Sequence, residues 1–157
     1  MPNPLDILKS RPRKVGLLYR FDEGQDSLGL DTMAEPSLDL SAMSATVVIS
    51  TPAIDRQGDS LLSTGCDLTH YKTNPLVLWE HGQSSHCPLP IGKSEDPNGK
   101  FTVLIEQTAI TATSYFSQSY QFAQQVFALL AEKIIRGASV RAQPTDYEQV
   151  RTGLLVK

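Results

Sequence analysis

Pro75-Leu76-Val77-Leu78-Trp79-Glu80-His81-Gly82 is the stretch on which the reading of the fold turns. A short apolar run behind a proline, closed by polar residues and a glycine, describes a buried strand that opens into a loop. A histidine sits where that strand gives way to the loop, and such ends are where a rigid scaffold presents chemical groups. Far along the chain, Gly137-Ala138-Ser139-Val140-Arg141 offers a partner: a serine in a second short run, just past a helix-stopping glycine. Serine is a poor nucleophile at neutral pH until an imidazole takes its proton. Such pairs are defined by place in space rather than order in the chain, so their separation is no objection. His81 as general base and Ser139 as nucleophile stand against two plainer readings. One is a surface histidine at a strand end; the other is a strand serine bonded to its own backbone.

Working outward, Ala45-Thr46-Val47-Val48-Ile49-Ser50 is short and β-branched and reads as a strand. Pro52 to Asp59 carries turn chemistry, and Asp67 to Tyr71 reads as one helical turn stopped before Pro75. Leu76 to Glu80 and Ile91 to Ser94 read as strands. Asp96-Pro97-Asn98-Gly99 is a turn from which a strand, Phe101 to Gln107, departs. One helix is clear, because Ala123, Val126, Phe127, Leu130, Ala131 and Ile134 recur at three- and four-residue spacing. Ser117 or Ser119 can cap its start, Lys133 and Arg136 complement its negative end, and Gly137 is its natural stop. A last strand is expected from about Gln149 to Val156. Short strands around one long helix describe an α+β fold or a helix-decorated β-barrel, not a doubly wound sheet.

The chain has 157 residues, 40% of them apolar and 20% charged, which describes a soluble globular protein of one domain with or without a tail. A net charge of −3 speaks against a general nucleic-acid binder, and no apolar run reaches the length of a membrane span. Cys66 and Cys87 make no disulfide framework, so a reducing compartment is expected. Zinc held by His81, His86, Cys66 and Cys87 is disfavoured, because the spacing follows no paired-ligand pattern. Residues 1–43 divide by charge. Lys9, Arg11, Arg13, Lys14 and Arg20 precede an acidic stretch of Asp22, Glu23, Asp26, Asp31, Glu35 and Asp39. They are expected to form a poorly ordered leader ahead of a domain at 44–157, serving either as a docking tail or as a solvated extension. Asp55 and Asp59 read as turn residues in preference to a cation site. Arg141 shares a strand face with Ser139 and can steady an oxyanion or pair with a carboxylate.

Four segments in register resemble the tailed-phage prohead (capsid maturation) proteases. They are Ile54-Asp55-Arg56-Gln57-Gly58-Asp59, Asn74 through His81, Leu89-Pro90-Ile91-Gly92, and the helix leading to Arg136-Gly137-Ala138-Ser139-Val140. The likeness spans roughly residues 45–143. It implies a small β-barrel wrapped by helices, similar to herpesvirus assemblin, and a serine endopeptidase with His81 as base and Ser139 as nucleophile. It further implies action inside the procapsid, in the host cytoplasm, on scaffold, on the scaffolding segment of the major capsid protein, and on the protease itself. A homodimer is possible within that family, and no cofactor or metal is expected. The oxyanion is expected on the backbone at Val140 and Arg141, where many members have a glycine in place of Arg141. Asp146 and Glu148 are the acids downstream of Ser139 that can orient the base. The family commonly continues beyond this point, so a truncated or self-processed chain is expected. A catalytically inactive internal capsid protein that binds scaffold and keeps the protease fold is the alternative.

Overall fold

A computed structural model describes residues 16–19, 35–54, 59–150 and 153–156. The motif Asp55-Arg56-Gln57-Gly58 and most of the leader lie outside the described residues.

Two long antiparallel strands form the centre. Strand β3 (Ser44–Ser50) buries Ala45, Val47 and Ile49, and β8 (Ile110–Phe116) buries Ile110, Ala112, Ser114 and Phe116. Their alternation is that of a sheet with one face on a core. Thr46 and Thr113 lie directly opposite each other with hydroxyls 2.8 Å apart. Outside β3 lies β2 (Ser37–Asp39), joined to it by a turn in which one Asp39 carboxylate oxygen accepts from the Ser41 amide, the Ser41 hydroxyl and the Ala42 amide. Those bonds, the Ser41 hydroxyl first, hold the Asp39 carboxyl below its ordinary pKa.

The other side of β8 carries β6 (Pro90–Lys93) and β7 (Val103–Ile105). Between them is the expected turn, where Asp96 accepts from the Asn98 and Lys100 amides and Gly99 takes a φ of 82°. Next come β5 (Leu76–Trp79), β1 (Gly16–Tyr19) and β9 (Ala138–Arg141), giving the order β2-β3-β8-β6-β5-β1-β9. All pairs in this sheet are antiparallel except β1 with β5. The hydrogen-bonded ladder is open among the described residues. Even so, Cα atoms of β3 and β9 come within 8 Å of one another, so the sheet is strongly curled. A second sheet holds β10 (Tyr147–Val150), β11 (Gly153–Val156) and β4 (Ser60–Leu61).

Helix α1 (Thr69–Thr73) is the short turn expected before Pro75. Helix α2 (Gln121–Ala131) lays Ala123, Val126, Phe127 and Leu130 on the core. Phe127 packs against Phe116 at a centroid distance of 5.3 Å. No helix among the described residues is long and apolar enough to cross a membrane.

The α+β class is as expected, and several local expectations are corrected. Neither Ser117 nor Ser119 caps α2; their hydroxyls face each other at 3.4 Å, and Tyr120 is the N-cap with no side-chain bond. Each large apolar side chain buried by α2 contributes about 1.5–3 kcal/mol, against about 1 kcal/mol for a cap, so packing alone suffices. Nor does Gly137 end the helix. Lys133 does, at a φ of 60°, with its amide on the Leu130 carbonyl and the Ile134 amide on the Leu129 carbonyl, a Schellman ending. Arg136 donates from Nε to the Lys133 carbonyl. The final segment is a hairpin, β10 against β11, rather than one strand. Within the stretch read as a leader, Gly16–Tyr19 and Ser37–Asp39 are strands of the main sheet.

Gly92 marks the tightest approach in the sheet. A Cβ there would lie 2.4 Å from the Tyr115 carbonyl oxygen, so backbone would collide with side chain. Gly92→Ala is expected to lower stability by about 2–3 kcal/mol, read as a shift in the urea midpoint. Lys133→Gly relieves a left-handed backbone but gives up the exposed ion pair of Lys133 Nζ with Glu35 at 2.8 Å, so a net gain of about 0.5 kcal/mol is expected by the same measurement.

Candidate active site

His81 is presented by a reversal of the chain. Trp79 is buried and meets Phe122 of α2 edge-on, at 5.5 Å between centroids, which fixes the end of β5. Three successive residues then take positive φ: Glu80 at 48°, His81 at 55° and Gly82 at 72°. The Gln83 amide closes the turn on the Glu80 carbonyl at 2.9 Å. Left-handed backbone costs a non-glycine residue about 1–2 kcal/mol, and such strain persists where surrounding packing imposes it.

The reason for the reversal is geometric. Leu78 and Ser139 are both in register with Leu18, on opposite sides of it, so they stand about 10 Å apart across two strand spacings. Three more extended residues would carry His81 another 10 Å or so along the sheet, too far for its ring to meet a serine side chain. The left-handed turn folds it back instead. Nε2 of His81 comes 3.5 Å from Oγ of Ser139. That is long for a hydrogen bond, as catalytic contacts without substrate often are. Both residues are half-buried, and Nδ1 of His81 is shut off from solvent.

On β9, Ala138 and Val140 pack with the core, which leaves Ser139 and Arg141 to the opposite face. Val140 and Arg141 are half-buried. Asp146 lies exposed in the bend before β10, and Glu148 is exposed on β10, in the second sheet. The structure therefore unites His81 with Ser139, and it places Asp146 in the bend before β10 and Glu148 on β10 itself.

The remaining candidates stand in different settings. His70 is exposed on α1, and His86 is exposed with Nδ1 3.2 Å from the Ser85 hydroxyl. Burial, with the neighbouring Asp67 carboxylate, pushes the Cys66 thiol up from its usual pKa, so it is not a ready thiolate nucleophile. Cys87 is buried, with Sγ 3.5 Å from the Tyr120 hydroxyl and 3.7 Å from the Leu89 carbonyl. No group of three or more His, Cys, Asp or Glu side chains suited to a metal ion occurs among the described residues. Sequence reasoning missed the strained turn and β1. The first left only Gly82 as a signal, and the second left only the brief run Gly16-Leu17-Leu18-Tyr19.

Gly82 and Gly99 share a positive φ, but only Gly82 lies in the turn that carries the histidine. Gly82→Ala and Gly99→Ala are each expected to cost about 1 kcal/mol of stability. On the reading of Ser139 as a nucleophile, only Gly82→Ala is expected to slow its modification by a fluorophosphonate, by about tenfold or more. Comparison with family models, curated proteins and solved structures finds no match to this chain.

Proposed function

We propose that the chain is a serine endopeptidase with Ser139 as nucleophile and His81 as general base, and that it works in phage head maturation. The observation that supports this is the 3.5 Å approach of Ser139 Oγ to His81 Nε2, made by two segments far apart in sequence. The curled sheet flanked by α2 is compatible with an assemblin-like barrel. The motif series that resembles prohead proteases supplies the substrate class. That class is scaffold, the scaffolding segment of the major capsid protein, and the chain itself.

In this reading Oγ of Ser139 attacks the scissile carbonyl carbon while its proton passes to Nε2 of His81. The tetrahedral oxyanion takes hydrogen bonds from backbone amides at Val140 and Arg141. His81 then returns the proton to the leaving amine as the C–N bond breaks. Water attacks the resulting acyl ester, His81 accepts a proton from it, and Ser139 is released as the free hydroxyl. Only the neutral imidazole can begin this cycle. Asp146, in the bend before β10, and Glu148, on β10, stay as the acids that can steady the imidazolium. The substrate is read as extended, held by backbone hydrogen bonds at a strand edge.

Incubation with a capsid protein that carries its scaffolding segment tests the proposal. Wild type is expected to yield discrete fragments. Ser139→Ala and His81→Ala are each expected to reduce the rate by about 10⁴-fold or more with circular dichroism unchanged. Equal cleavage by wild type and Ser139→Ala would refute the assignment of the nucleophile. Binding of the capsid protein with no fragments from any of the three would leave the inactive scaffold-binding reading in its place.

A further inference from the structure

The strand that carries the base and the strand that carries the nucleophile are not neighbours. Between β5 and β9 lies β1, and its register ties it to both. Leu17 stands between Val77 and Val140, Leu18 between Leu78 and Ser139, and Tyr19 between Trp79 and Ala138. No ladder joins β5 to β9 directly among the described residues. Strand β1 also approaches the Glu80–Gly82 turn, with Cα atoms within 8 Å. The lateral distance from His81's strand to Ser139's strand is therefore the width of one inserted strand on each side, about 4.8 Å twice over.

We infer that Gly16–Tyr19 is the positioning element of the dyad, a strand that supplies no reacting group but sets the separation of base and nucleophile. This rests on the serine-hydrolase reading above. A contact of 3.5 Å leaves little tolerance, since misplacement by about 1 Å can cost about 100-fold in rate. Without β1, neither flanking strand keeps a ladder on that side, and the two catalytic side chains lose their common reference. A segment that reads by composition as a tail thereby acts on the chemistry. The part of the chain ahead of the capsid-protease-like motifs is required for turnover rather than dispensable for it.

The test uses the full-length chain. Proline donates no hydrogen bond to a ladder, so Leu18→Pro breaks β1 where it faces Ser139. Leu104→Pro imposes the same lesion on β7, which pairs with β8 alone. Both are compared with wild type for melting temperature and for modification of Ser139 by a fluorophosphonate, with maximal rate separated from reagent affinity. The expected result is a maximal rate at least tenfold lower for Leu18→Pro than for Leu104→Pro, with reagent affinity unchanged. Equal maximal rates in two folded variants would overturn the inference. If Leu18→Pro does not fold, Leu18→Gly and Leu104→Gly replace the pair, with the same two outcomes. Wild type that resists the reagent sinks the hydrolase reading itself. Placement of β1 is then read independently from Tyr19→Cys/Ala138→Cys, which is expected to form a cross-strand disulfide. A folded double variant in which those two thiols never link overturns the inference by itself.

Discussion

The backward turn at Glu80, His81 and Gly82 is the constraint on which the site depends. A strand advances by about 3.3 Å per residue, so a chain that stayed extended past Trp79 would carry His81 away from a strand two places over. Positive φ at three consecutive residues performs that return, and two of the three are not glycine. The strain is tolerated because the turn is anchored on both sides. Trp79 is held by Phe122 on one, and the Gln83 amide bonds back to Glu80 on the other. Strained backbone next to a histidine that faces a serine is a combination that stability alone does not require.

Burial sets the rest of the arrangement. The core face of β9 is pinned through Ala138 and Val140, which turns Ser139 outward toward the imidazole. Period-two alternation makes this unavoidable once Ala138 is inside. The two thiols have the opposite character. Cys66 is disfavoured as a thiolate, and Cys87 is packed beneath Tyr120 and the Leu89 carbonyl. The side chain the fold sets facing the His81 imidazole is thus the Ser139 hydroxyl rather than either sulfur.

How much of this could be read in advance depends on where the signal lay. The core alternation of Ala45, Val47 and Ile49, the helical spacing from Ala123 to Leu130, and the Asp96 to Gly99 turn were all legible, because each is written in neighbouring residues. The end of a strand at His81 and the short strand around Ser139 were legible in the same way, whereas their approach to each other was not, since it depends on the turn at Glu80 to Gly82. The central strand β8 was not. Its core face includes Ala112 and Ser114, small residues that are buried only because β3 comes close. Strand β1 was hidden for a related reason: four residues flanked by charges carry too little pattern, and their place is decided by the two strands that accept them. The helix ending was misplaced by a few residues because a lysine, not the nearby Gly137, takes the left-handed position.

Helix α2 bears on the strand that leads to His81 and precedes, through a short connection, the strand that holds Ser139. Phe122, near its beginning, makes the contact with the first of these strands, and Ala131, its last residue, comes before the connection to the second. Eleven residues at about 1.5 Å each make it a strut of roughly 16 Å. Insertion of a single residue would rotate one end by about 100° relative to the other. Such a rotation would carry Phe122 off Trp79 while Val126, Phe127 and Leu130 keep their seats in the core, so the phase of the helix fixes the aromatic wedge behind the His81 turn.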